Sequence, residues 1–328
     1  MMDLSFSWQI EEFMVYCHTR QLRRKTMNSY EQALRLFERW CADEFSIVTV
    51  DKVTESVIRR YITSLQERGK YSFYADDKKK ETNYPERRTD YQKQITITTI
   101  NNYLRNLRVF FNWLEQEYVL QKNPMRRIRQ LKENRKAKEY IDNEEFKRLT
   151  SQLDKSRFSE HRDLVMIILM MDSGMRLGEC SCLLVSDINL ASRKIFLRAE
   201  ITKGRQDRVV YFSSKTERIL RQWLQFKDRY SESEYVFPVR KNGMHVKVRG
   251  FEGNFRNYLE RANLNKGISP HCLRNNFAKR CLMSGMDIYT LSKILGHSSV
   301  TVTEKAYLDL NEDDLGKRYQ NFSPILNM

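Results

Sequence analysis

Arg176, Lys203, His271, Arg274, His297 and Tyr307 are the residues whose types and settings suggest chemistry. Ser173-Gly174-Met175-Arg176-Leu177-Gly178-Glu179 follows a very apolar run, so Gly174 can end one helix and Arg176 can open the next. A guanidinium placed there can hold a phosphate through two parallel hydrogen bonds, with Glu179 one turn on to orient it. Taken alone, the pair serves equally well as a structural ion pair. His271-Cys272-Leu273-Arg274 follows Pro270, which suits a helix start. Positions i and i+3 share a helix face, so His271 and Arg274 can reach one ligand. In Leu295-Gly296-His297, the glycine can close a helix and turn the imidazole inward. A lone histidine is more often a hydrogen-bonded structural residue, but two of the chain's five fall in these compact motifs. Tyr307 lies ten residues beyond His297, where a tyrosine by itself usually packs. Thr202-Lys203-Gly204-Arg205 reads as the turn of a hairpin.

These residues need elements to hold them. The second half predicts a domain from about 140 onward, opened by Asp142 or Asn143 as a helix cap. The apolar helix over 160–172 is its central core element. Two short strands at 194–199 and 208–213 form a small antiparallel sheet. Helices are expected over 214–227, 249–262, 271–284, 287–295 and 301–309. The first half predicts four helices. One covers 8–18, and one is capped by Asn28 or Ser29 and carries Tyr30, Leu34, Phe37 and Cys41. A third spans 54–68, and the last runs from Ile100 to Tyr118 at three- and four-residue steps.

The expected organisation is a helical domain over 1–121, a basic linker over 122–139 and a catalytic domain with its tail over 140–328. The charged stretch 69–94 lacks a helical period and reads as a surface insertion, either flexible or in contact with DNA. The linker carries Arg126, Arg127, Arg129, Lys132, Arg135, Lys136 and Lys138 against the single acid Glu133. So one-sided a run suggests contact with phosphates.

Composition narrows the partners. The chain has 58 Lys and Arg against 42 Asp and Glu, a formal charge of +16 and a pI near 9.5, as is common in chains that sit on nucleic-acid backbones. With 41% hydrophobic residues it can bury real cores, and no apolar run is long enough for a bilayer. The absence of a basic-then-apolar N-terminus argues against secretion. Six scattered cysteines fit buried thiols in a reducing compartment, and Cys180-x-Cys182 has the wrong spacing for a zinc knuckle.

In this order and these contexts, the six residues resemble the tyrosine recombinase (phage integrase) family: the Arg176 box with Glu179, the hairpin Lys203 beside Arg205, the H-x-x-R box, the L-G-H box and a late tyrosine. The likeness is strong over about 140–310, whereas the first half matches only in helical pattern. It implies a mainly α fold with a small antiparallel sheet, a SAM-like core-binding domain followed by an α+β catalytic domain. It also implies cleavage and rejoining of duplex DNA through a 3′-phosphotyrosyl link to Tyr307, without metal, ATP or other cofactor. Arg176 and Arg274 would neutralise the non-bridging oxygens, His297 would donate a further hydrogen bond and Lys203 would protonate the leaving 5′ oxygen. His271 would take the tyrosine proton or support the phosphate. Partners would be two recombination sites and a homotetramer on DNA, with a monomer or weak oligomer off it, and a directionality factor or a host DNA-bending protein where the system uses one. The expected location is the cytoplasm, on the nucleoid, with no membrane. A type IB topoisomerase and a non-catalytic DNA-binding regulator are the competing readings.

Overall fold

The computed structural model describes residues 3–75, 84–133, 140–264, 267–297 and 299–307, together with 316 and 319; the side chains of 302 and 305–307 lie outside that description. The chain divides into two compact units, Met1–Arg135 and Lys136–Met328.

The first unit is built on α1 (Phe6–Thr19), α2 (Arg24–Phe45), α3 (Glu55–Glu67) and α4 (Ile97–Gln116). Ser5, Thr54 and Thr96 cap α1, α3 and α4 by accepting from an amide of the first turn. The second helix departs from expectation. It starts at Arg24 without a side-chain cap, and Asn28 and Ser29 lie inside it. Arg24, Lys25 and Met27 are good helix formers, and Met27 packs on the core, so the extra turn needs no cap. Phe13, Phe37, Tyr61, Phe110 and Phe111 are fully buried, with Phe37 and Tyr61 rings 4.9 Å apart edge-on.

The insertion has a stitched stem. Gly69 bridges to Gln94, the Lys70 amide donates to the Lys93 carbonyl and the Gln92 amide to the Lys70 carbonyl. Residues 76–83 lie outside the described residues. The first unit also reaches past 121. Leu120, Met125 and Ile128 are buried in its core, and Asn101 grips the Leu131 backbone in both directions at 2.9 and 3.0 Å. The start of the expected linker is therefore a strap. Its apolar residues dock, while Arg126, Arg127, Arg129 and Lys132 are exposed. Arg135, Lys136 and Lys138 lie outside the described residues.

The second unit begins with α5 (Asn143–Ser151), which Asp142 caps in a reciprocal box with Glu145. Helix α6 (Phe158–Ser173) is buried over most of its length and lies at the centre, against α7 (Leu177–Ser181), α8 (Ser214–Asp228) and α10 (His271–Met283). The sheet is antiparallel in the order β1 (Ile188–Asn189), β2 (Lys194–Leu197), β3 (Arg208–Tyr211), with Ile195 opposite Val210. The two-residue β1 was not expected. Helices α9 (Val248–Arg261), α11 (Ile288–Leu295) and α12 (Val300–Tyr307) complete the unit. Among the described residues no helix is long and apolar enough to cross a membrane.

One buried polar knot ties α6 to α9. Asp163 is fully buried and accepts from Arg162 at 2.7 and 2.9 Å, Asn254 at 2.8 Å and Tyr258 at 2.9 Å. Arg162 also donates to the Pro238 carbonyl at 3.1 Å. Removing one partner of such a pair leaves a charge buried and uncompensated. Asp163→Ala should therefore cost about 3–5 kcal/mol of stability. Urea unfolding monitored by circular dichroism checks it, and a cost below about 1 kcal/mol would mean that the knot does not hold α6 to α9.

Candidate active site

Four of the six sequence-predicted residues come together or lie within electrostatic reach of one another in the second unit. The site starts at the C-terminal end of α6. Gly174 caps that helix with φ +67°, and a Cβ there would stand 2.3 Å from the Phe277 ring. Only glycine meets both demands. The turn brings Arg176 to the N-terminus of α7, where its amide donates to Glu179 Oε2 at 2.7 Å and its guanidinium to Oε1 at 2.9 Å.

Glu179 is buried and shared. Arg208, at the start of β3, donates to both of its oxygens at 3.0 and 2.6 Å. Burial pushes the Glu179 carboxyl up, but the hydrogen bonds and charge of Arg208, then those of Arg176, outweigh it and leave the group below its usual range. Arg208 also donates to the Ile294 carbonyl at 3.2 Å, and so ties the sheet to the end of α11.

Arg274 is buried on the first turn of α10. It donates to the Gly174 carbonyl at 2.8 Å, to the Leu295 carbonyl at 2.7 Å and to His297 Nε2 at 3.0 Å. Burial, then the charge of Arg176, pushes its guanidinium down to about 9, so it is charged at neutral pH but lacks a full counter-charge. His297 is half-buried behind Gly296, which closes α11 at φ +63° with Arg208 packed 2.7 Å from where a Cβ would sit. Its Nδ1 lies 2.7 Å from the Thr303 hydroxyl on α12. Burial pushes the imidazole down to about 4, helped by Arg274, Arg176, Arg208 and His271 in that order.

His271 sits exposed at the first position of α10, and its charge reaches His297. Lys203 is not drawn into the cluster. It is exposed in the loop between β2 and β3, as is Arg205. Thr202 buries itself to brace that loop, bonding the Ala199 and Gln206 carbonyls at 3.1 and 3.0 Å. Tyr307 is the last residue of α12, and its side chain lies outside the description. Arg208 and Thr303 were missed by sequence reasoning. An arginine five residues after Lys203, entering a strand otherwise made of apolar residues, was the one signal for Arg208. Among the described residues no group of three or more His, Cys, Asp or Glu could hold a metal.

Chemically, this is a site for an anion. Two guanidiniums and an imidazole converge where one carboxylate already serves Arg176 and Arg208. A phosphodiester oxygen would supply part of the missing negative charge.

The low His297 value has a consequence for stability. Between about 4 and the ordinary 6.5, the unfolded chain takes up a proton that the folded chain refuses, so folding weakens as pH falls through that window. His297→Gln removes this contribution. The fall in urea midpoint between about pH 7 and about pH 4.5 should be smaller in the variant than in wild type. An identical fall would show that His297 is not held neutral.

Comparisons agree with the geometry. Residues 139–314 match the phage integrase family, and residues 10–75 match the phage integrase N-terminal SAM-like domain. The chain is 26% identical over 320 residues to the tyrosine recombinase XerC of Listeria monocytogenes serovar 1/2a, covering 96% of this chain and 97% of the relative. It is 30% identical over 206 residues to a tyrosine recombinase of Thermosipho africanus, covering 63% and 70%. The fold is shared with the Tn1549 transposon integrase solved with transposon right end DNA, at TM-score 0.72 and 17% identity over 97% of this chain and 99% of that one. It is shared too with the XerH site-specific recombinase in a post-cleavage complex, at TM-score 0.69 and 17% identity over 97% and 84%.

Proposed function

Because the chain belongs to the phage integrase family, we propose that it recombines duplex DNA at specific sites with Tyr307 as its nucleophile. The observation that carries this reading is the convergence of Arg176, Arg274 and His297 beside the helix that ends in Tyr307. The Tyr307 oxygen attacks the phosphorus, a phosphotyrosyl bond to the 3′ end forms, and the bond to the 5′ oxygen breaks. The energy of that bond is kept in the covalent link, and rejoining is the reverse attack by a 5′ hydroxyl. Arg176 and Arg274 stabilise the charge that develops on the non-bridging oxygens, and His297 adds a donor once the phosphate is in place. His271 takes the tyrosine proton or supports the phosphate. Lys203 gives its proton to the leaving 5′ oxygen, which requires its loop to close over the DNA. Glu179, held by Arg208, keeps Arg176 aimed.

Exposed cations supply grip rather than chemistry. Arg126, Arg127, Arg129, Lys132 and Arg205, with Arg135, Lys136 and Lys138 beyond the described residues, contact the backbone on this reading. Two sites and four copies acting in pairs are the assembly that strand exchange requires, and the nucleoid is where the protein would work. Relaxation by a type IB topoisomerase and binding without cleavage are disfavoured by the family and by the intact set of polar residues.

The test uses supercoiled DNA carrying sequences that flank the protein's own gene, with EDTA present. Wild type should form a covalent protein–DNA adduct and joint products. Tyr307→Phe should form no adduct but keep its DNA affinity, and Arg274→Ala should form it at least about a hundredfold more slowly. An adduct undiminished in Tyr307→Phe would sink the nucleophile assignment.

A further inference from the structure

Thr303 is wholly buried, although it lies on an eight-residue helix whose neighbouring positions Thr301 and Glu304 are exposed. Its hydroxyl meets His297 Nδ1 at 2.7 Å, while Arg274 Nη2 meets His297 Nε2 at 3.0 Å. An arginine can only donate, so Nε2 is the accepting nitrogen and the imidazole proton sits on Nδ1. Nδ1–H therefore donates to the Thr303 oxygen. Thr303 and Tyr307 stand four residues apart in α12, and such positions share a helix face.

We propose that Thr303 is a positioning residue for strand cleavage: it fixes which nitrogen of His297 faces the phosphate site, and it ties that imidazole to the helix carrying Tyr307. The inference rests on the recombinase reading of the same site. Its chemistry balances simply. With Nδ1–H held by Thr303, a proton that His297 takes from solvent can enter only at Nε2. It enters as a phosphodiester displaces the Arg274 contact, and His297 then offers it to a non-bridging oxygen. No covalent bond to Thr303 forms or breaks. A side chain that let the ring turn over would present the wrong nitrogen, and would leave α12 without its bond to the L-G-H turn.

Two measurements on the full chain test this. The first is nitrogen-15 NMR of labelled histidine side chains in the DNA-free protein, with His297 identified by its loss in His297→Gln. Wild type should show Nδ1 protonated and Nε2 bare, and Thr303→Val should lose that pattern. A wild-type His297 protonated on Nε2 would overturn the proposal. The second is the rate of covalent adduct formation under single turnover, on whichever flanking duplex wild type cleaves. Thr303→Val should be slower by roughly tenfold or more, with DNA affinity within about twofold of wild type. Thr303→Ser, which keeps the acceptor, should recover to within about threefold. Equal losses in Val and Ser would mean that packing of the methyl group is what matters, and a Val variant as fast as wild type would also overturn the proposal. A wild type that forms no adduct would instead count against the recombinase reading, and the NMR pattern would then decide the role of Thr303.

Discussion

The second unit gathers Arg176, Arg208, Arg274 and His297 into one half-dry corner, and the carboxylate that makes this possible is Glu179. Like charges about 4 Å apart repel by about 4 kcal/mol at an effective dielectric near 20. Glu179 answers two of the guanidiniums directly and favours the charged form of the third from a distance. It does not answer all of them. Burial first, then the unanswered positive charge, pushes Arg274 down in spite of Glu179 and keeps His297 neutral. With three guanidiniums, one carboxylate and a neutral imidazole, the corner keeps an excess of positive charge, which favours an anion such as a phosphodiester.

Helix ends hold these cations. Arg274 donates to carbonyls at the C-terminal ends of α6 and α11, and Arg208 to another at the end of α11. Terminal carbonyls lack partners inside their own helix, and the helix dipole puts partial negative charge there. Three cation contacts thus satisfy orphan acceptors while fixing two helices to β3 and α10. The glycines follow from the same crowding. Gly174 and Gly296 turn the chain at positive φ, and each faces a side chain that leaves no room for a Cβ: Phe277 for the first, Arg208 for the second. The motifs Ser173-Gly174-Met175-Arg176 and Leu295-Gly296-His297 are therefore one device used twice, a helix stopped short so that its last carbonyls and the next side chain meet a guanidinium.

That device explains how much of the site was legible in the sequence. Helix stops, an arginine or histidine beside them, and i to i+3 spacing are local signals, so Arg176, Glu179, Arg274 and His297 could be read directly. The apolar helix α6 was legible for the same reason, because its burial is written in a continuous run. Arg208 was not, since its partners lie 29 and 86 residues away and its one local signal, a charge entering an apolar strand, does not say what it meets. Thr303 was hidden among other threonines, distinguished only by tertiary burial. The strap after α4 misled in the other direction. Its run of arginines reads as a tether, but Met125 and Ile128, spaced between the charges, dock into the core and turn the cations outward. The α2 start was misplaced because a cap was sought where good helix formers and packing sufficed.

The DNA-free site is also satisfied with itself, and that shapes how a substrate must enter. Three donations from Arg274 already go to protein acceptors, one of them to His297 Nε2, the nitrogen that gives a proton away on the proposed mechanism. On the proposed mechanism a phosphodiester replaces the imidazole as acceptor, a proton goes onto Nε2 and Lys203 comes in from an exposed loop. Each change costs free energy before any bond breaks. On the same reading, backbone contacts from exposed cations such as those of the strap, which give up little on binding, contribute to assembling the site. On this reading, a duplex gripped in the wrong register binds but leaves the imidazole on Arg274, so that correct placement, rather than affinity, admits a strand to cleavage.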